Sequence, residues 1–151
     1  MLTKGTKAPD FTAIDQFENK ITLSSFRGKK IVLYFYPKDD TPGCTKEACS
    51  LRDQHDAMLN NGFVVLGVSP DDIKSHKKFA DKFALPFSLL ADPELKIVKL
   101  FGVWGAKKMY GKEYEGLMRT TFIIDENGFI EEVIEKVKTD DHANQILNLY
   151  Q

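Results

Sequence analysis

The chain predicts an α/β fold: a central mixed β-sheet with helices on both faces and an N-terminal β-hairpin. Three observations predict it. Continuous β-prone runs at 31–36 and 63–68 flank a stretch of helical periodicity, which makes one βαβ unit with a right-handed crossover. A late strand pair is joined by Asn127-Gly128, a tight-turn dipeptide that makes the pair antiparallel. A helical pattern then closes the chain.

The elements follow in order. Residues 11–23 give two short strands around a polar turn at 16–20. Ile31-Val32-Leu33-Tyr34-Phe35-Tyr36, stopped by Pro37, suits a central strand covered on both faces. Past Thr41, Ala48, Leu51, His55, Met58 and Leu59 recur at helical spacing, and Asn60-Asn61-Gly62 ends that single helix. Residues 63–68 form a second buried strand. Residues 71–83 form a helix with apolar Ile73, Phe79, Ala80 and Phe83, and 87–90 a short strand. Asp92-Pro93 opens another helix that stops near Phe101-Gly102. Residues 102–116, punctuated by Gly102, Gly105, Gly111 and Gly116, read as a loop. Trp104 and Tyr110 in that loop either pack over a pocket or form a docking surface. Residues 119–124 and 129–133 are the late strand pair. Residues 140–150 form the last helix, with Asp140 or Asp141 near its N-terminus. Phe79, Phe83, Phe87 and Phe101 are core residues.

Length and charge narrow the function. A chain of 151 residues favours one domain, 1–151. Such a domain buries roughly 70% of its unfolded surface, so it needs no disulfide staple or structural metal. With 21 Lys plus Arg against 22 Asp plus Glu, it has no general attraction for nucleic acid. No apolar run approaches the ~20 residues of a membrane helix. The start, Met1-Leu2-Thr3-Lys4-Gly5, lacks the apolar core of a signal peptide, and the expected location is the cytoplasm. Two cysteines, Cys44 and Cys49, make a poor disulfide scaffold but a possible redox pair.

The informative stretch is Tyr36-Pro37-Lys38-Asp39-Asp40-Thr41-Pro42-Gly43-Cys44-Thr45-Lys46-Glu47-Ala48-Cys49, where a buried strand gives way to a helix. In open α/β sheets, ligands bind in the crevice beyond the strands' carboxyl ends. Pro42 suits the first helical turn, and the Thr41 hydroxyl is expected to cap it. Cys44 then lies among unpaired N–H donors at the positive end of the helix dipole, a setting that favours thiolate over thiol. On a helical wheel Cys44 points toward the Leu51–His55–Met58 stripe, and Cys49 lies roughly 140° away on a polar flank. Their Cα atoms would be ~8.6 Å apart in an unbroken helix, beyond the about 7 Å a disulfide tolerates. The pair cannot close unless the first turns unwind.

Pro37-x-x-x-Thr41-x-x-Cys44 resembles the active-site motif of the peroxiredoxins. Ala8-Pro9-Asp10-Phe11 and Arg119-Thr120-Thr121-Phe122-Ile123-Ile124-Asp125 extend the resemblance over essentially the whole chain. A second cysteine five residues after the first resembles the PrxQ class, also called bacterioferritin comigratory protein. The resemblance implies a thioredoxin-like fold and thiol-dependent reduction of hydrogen peroxide and organic hydroperoxides, with no metal, flavin or haem. By position it makes Cys44 the peroxidatic nucleophile and Cys49 the resolving thiol of a Cys44–Cys49 disulfide. It places peroxide against Thr41, Gly43, Cys44 and Arg119, gives Pro37 the task of shielding the thiolate, and suggests that Glu47 orients the arginine. It further implies a monomer recycled by thioredoxin or a similar dithiol protein. The alternative is a redox sensor that uses the same Cys44–Cys49 switch without turnover.

Other readings of these residues are weaker. A metal site from Cys44, Cys49 and His55 lacks the second ligand pair of structural zinc. His55 falls on the apolar stripe and is expected to be packed and hydrogen-bonded. Asp39-Asp40 reads as a solvated turn, and Lys107-Lys108 is too short to suggest nucleic acid. Arg119 taken alone is a surface charge that opens a strand.

Overall fold

A computed structural model describes residues 1–151, with every side chain except that of Met109. An N-terminal hairpin pairs β1 (Thr12–Ile14) with β2 (Lys20–Thr22), antiparallel as expected. The main sheet has five strands: β3 (Lys30–Phe35), β4 (Phe63–Ser69), β5 (Ser88–Ala91), β8 (Thr120–Ile124) and β9 (Ile130–Ile134). Their spatial order is β5-β4-β3-β8-β9. The first three run parallel, and β8 and β9 are antiparallel to their neighbours. The sheet is therefore mixed, as the turn chemistry predicted.

Both faces of the sheet are covered, because alternate residues of β3 feed two cores. Val32 and Tyr34 join Ala48, Leu51, Met58, Phe79, Ala143 and Ile146 on one face. Those residues come from α1 (Pro42–Asp53), α2 (His55–Asn60), α3 (Ile73–Phe83) and α5 (His142–Asn148). Ile31, Leu33 and Phe35 meet Ile97, Val98, Phe101 and Leu117 on the other. That second face is covered by α4 (Lys96–Leu100) and the N-terminal hairpin. Among the described residues, no helix is long and apolar enough to cross a membrane.

Five sequence expectations need correction. The helix expected from Thr41 to Leu59 is two helices, broken at Gln54, although the apolar spacing runs through the break. His55 is accordingly only half-buried, its ring tilted against Phe87 at 5.8 Å. The helix assigned to Asp92-Pro93 begins later, at Lys96, with Leu95 left-handed at its N-cap (φ 61°). The supposed loop at 102–116 contains a hairpin of β6 (Trp104–Met109) and β7 (Lys112–Leu117). Its two-residue turn, Tyr110-Gly111, has φ of 53° and 77°, the positive pair that a tight hairpin turn requires. Tyr110 stands almost fully exposed there, and Trp104 is half-buried against the second core. Asp39 does not lie in a solvated turn. It is buried, while neighbouring Asp40 stays exposed and pairs with Lys82.

Candidate active site

The site forms where β3 ends and α1 begins. Thr41 is extended (φ −96°, ψ 157°), Pro42 is the first helical residue, and Cys44 is the third. The register sets Thr120 opposite Phe35, so Arg119 lies level with the turn that leads into α1. Arg119 Nη2 donates to Cys44 Sγ at 3.2 Å, and Nη1 donates to Glu47 Oε1 at 2.6 Å. One planar guanidinium thus spans two residues of the same helix, a fork geometry that lysine cannot reproduce.

Cys44 is 1% exposed. Cys44 lies in the first turn of the helix, at the positive end of its dipole, and the Arg119 guanidinium donates to its sulfur. Gly43 leaves room for the guanidinium: a Cβ there would lie 3.2 Å from Arg119 Nη2, close enough to displace it by a few tenths of an ångström. Cys49 is half-buried on the same unbroken helix, and both thiols are free. Pro37, Thr41 and Gly43 are each half-buried.

Thr41 departs from its expected capping role. Its hydroxyl donates to the Lys38 carbonyl at 2.9 Å, and no side-chain cap bond forms. The backbone carbonyl of Thr41 instead takes the Thr45 N–H at 2.8 Å. With its hydrogen committed to Lys38, the hydroxyl oxygen keeps its lone pairs for accepting.

Glu47 is fully buried one turn beyond Cys44. Burial pushes its carboxyl up to about 7, against the pull of Arg119. Its second oxygen, Oε2, has no hydrogen-bond partner and faces His142 Nε2 at 3.5 Å. His142 is pushed down to about 4 by burial and is neutral at pH 7. Its Nδ1 donates to Gln145 Oε1 (2.8 Å), and its Nε2 accepts from the Thr121 hydroxyl (2.8 Å).

A second buried network fixes the approach to the helix. Asp39 Oδ1 accepts from the Tyr36 hydroxyl at 2.6 Å. Oδ2 meets His76 Nδ1 at 2.7 Å and accepts from Ser75 Oγ at 2.8 Å. Asp39 N–H donates to Asp71 Oδ2 at 2.8 Å. Asp39, Asp71 and His76 bring ligand-type atoms within 4.8 Å of one another, but hydrogen bonds within the protein already engage them. An open groove of about 860 Å³ lies between this turn and α3; Lys78, Phe79 and Lys82 line it, and Cys44 does not.

The structure brings together Cys44, Gly43, Thr41 and Arg119 from the sequence-derived set, with Glu47 beside them. Cys49 is held on the same helix. Sequence reasoning missed the buried partners Asp39, His76 and His142. Tyr36-x-x-Asp39 offered a weak signal, since a buried tyrosine hydroxyl needs an acceptor nearby.

The chain resembles known proteins over nearly its whole length. The AhpC/TSA family model matches residues 4–133. Peroxiredoxin Bcp of Bacillus subtilis is 48% identical over 143 residues, covering 95% of this chain and 91% of its own. Peroxiredoxin Bcp of Escherichia coli K12 is 43% identical, with 97% and 94% covered. A PrxQ variant of Xylella fastidiosa superposes with a TM-score of 0.92 at 32% identity, over 99% of this chain and 96% of its own. A Xanthomonas campestris bacterioferritin comigratory protein, studied for alkyl peroxide reduction, gives a TM-score of 0.86 at 34% identity, covering 92% and 88%. The sheet and helices described above are thus those of a thioredoxin-like fold.

Proposed function

The chain belongs to the AhpC/TSA family as a peroxiredoxin of the Bcp and PrxQ class, and from that premise we propose that it reduces hydroperoxides with Cys44 as the nucleophile and Cys49 as the resolving thiol. Arg119 Nη2 lying 3.2 Å from a sulfur in the first turn of a helix carries the reading. The Cys44 thiolate attacks one peroxide oxygen, an S–O bond forms and the O–O bond breaks. Negative charge passes to the departing oxygen, where Arg119 and the first-turn N–H groups stabilise it. That oxygen takes a proton and leaves as water or an alcohol, with Cys44 left as a sulfenic acid. Thr41 Oγ1, whose own hydrogen is committed to Lys38, accepts from the peroxide O–H. Half-buried Pro37 limits water at the sulfur.

The first turns of α1 then unwind, since helix geometry keeps the two Cα atoms ~8.6 Å apart until they do. The Cys49 thiolate attacks the sulfenic sulfur, and hydroxide leaves and is protonated to water. Thioredoxin or a similar dithiol protein reduces the Cys44–Cys49 disulfide by exchange. The Xanthomonas relative's alkyl peroxide activity supports organic hydroperoxides as substrates beside hydrogen peroxide.

Peroxide consumption with thioredoxin tests the whole cycle. Cys44→Ser is expected to abolish turnover, and retained turnover rejects the assignment. Cys49→Ser is expected to complete one reduction and then stall. A Cys44–Cys49 disulfide, two hydrogens lighter by mass after one equivalent of peroxide, is the expected product in the native protein. A turnover rate indifferent to thioredoxin concentration would reject that reductant.

A further inference from the structure

We propose that the opening of α1 is confined to residues 40–49 by two polar clamps, Asp39–His76 before Cys44 and Ser50–Ala143 after Cys49, which makes His76 and Ser50 positioning residues for the resolving step. The proposal rests on the reading of Cys49 as the resolving thiol.

The first clamp is built from three elements. His76 Nε2 meets the Leu90 carbonyl at 3.0 Å, and a carbonyl only accepts, so Nε2 carries a hydrogen. His76 Nδ1 lies 2.7 Å from Asp39 Oδ2. Tyr36 and Asp71 hold Asp39 from two other directions. The network is buried, so releasing it would strand several polar groups out of water. In the second clamp Ser50 Oγ accepts the Ala143 N–H of α5 at 3.1 Å. Ser50 immediately follows Cys49, and Asp39 lies five residues before Cys44.

Packing divides the chain at the same places. Inside the bracket the core residues are small: Cys44 and Ala48. Just outside it are Tyr36 and Leu51, both large and fully buried. Leaving the core therefore costs little apolar burial within the bracket and much more beyond it. Gly43, Cys44, Thr45 and Cys49 are also weak helix formers. Glu47 adds an unpartnered buried oxygen that gains water when the segment opens.

Amide exchange followed by NMR on the reduced and the disulfide protein tests this. In the closed form Thr45 N–H bonds the Thr41 carbonyl, within the bracket. Asp39 N–H, Gln54 N–H (to the Ser50 carbonyl) and Ala143 N–H mark its borders. Disulfide formation is expected to lower protection of Thr45 at least a hundredfold and to change the border amides less than threefold. Ser50→Ala is expected to deprotect Gln54 in the disulfide form while leaving Gln54 in the reduced form within threefold of wild type, and Ser50→Thr to restore it. A purely structural serine would weaken both redox forms alike, which would overturn the positioning role. A disulfide that forms with Asp39 or Ala143 exchanging as freely as Thr45 overturns the bracket and spares the resolving assignment. Absence of any Cys44–Cys49 disulfide overturns both.

Discussion

Arg119 reaches the Cys44 sulfur at 3.2 Å although 75 residues separate them in the chain. The sheet makes the contact: β8 lies beside β3, and Arg119 immediately precedes β8 where β3 delivers the turn to α1. The same guanidinium holds Glu47. Arg119→Lys keeps the charge but cannot span both partners. Its kcat/KM for hydroperoxide is expected to fall about a hundredfold or more, the scale of losing a donor to a developing oxyanion. Steady-state kinetics that leave kcat/KM unchanged would remove the arginine from the reaction.

Gly43→Ala separates stability from chemistry. A Cβ at 3.2 Å from Arg119 Nη2 is too close for the guanidinium to stay where it is. The helix itself favours alanine over glycine by about 0.5–1 kcal/mol. The variant is expected to melt no lower than wild type and to lose about tenfold in kcat/KM, since donor geometry at the reacting centre carries the effect. A lowered Tm with unaltered kinetics would contradict the steric argument.

Glu47 is expected to make the proposed opening of the helix pH-dependent. Arg119, His142 and Tyr34 face its carboxyl. Burial holds the group at about 7 in the closed helix, and water returns it to the ordinary 4.5 on opening. The closed form therefore keeps the proton in that window. Its advantage is complete below 4.5 and is lost as pH rises through 7. Single-turnover disulfide formation is expected to accelerate between about pH 5 and 7.5. Glu47→Gln lacks this component, so the wild-type to variant rate ratio rises about fiftyfold across the window. A flat ratio by stopped-flow would show that Glu47 does not govern opening.

Strands β3, β4 and β8 were legible because covering on both faces demands continuous apolar runs, which a sequence displays openly. The β6–β7 hairpin was not, because most of its residues are exposed or half-buried and its glycines suggest a loop. The break at Gln54 has no glycine or proline to announce it. Cys44 and its helix start could be read locally, since strand end, Thr-Pro-Gly and cysteine are contiguous. Arg119 could be placed only by resemblance, because strand pairing creates its contact with Cys44. Asp39 was misread for the same kind of reason: its partner His76 lies 37 residues away, and no pattern within the turn reveals a distant histidine.

His142 is expected to make the fold sensitive to acid. Burial pushes its imidazole from the ordinary 6.5 down to about 4, and Gln145 and Thr121 bond the neutral ring. The unfolded chain takes up this proton near 6.5, whereas the folded chain resists until about 4. The stability it contributes is complete above 6.5 and is lost progressively as pH falls through the folded value. The loss is on the order of 3 kcal/mol across the window. Urea unfolding at pH 7, 5.5 and 4.5 is expected to show wild-type stability falling through this range. His142→Gln is expected to begin about 1–2 kcal/mol less stable at pH 7, from lost hydrogen bonds, and to decline less steeply. Because α5 carries His142 against β8 and α1, acid should loosen that helix first, and parallel slopes for the two proteins would place the acid-sensitive group elsewhere.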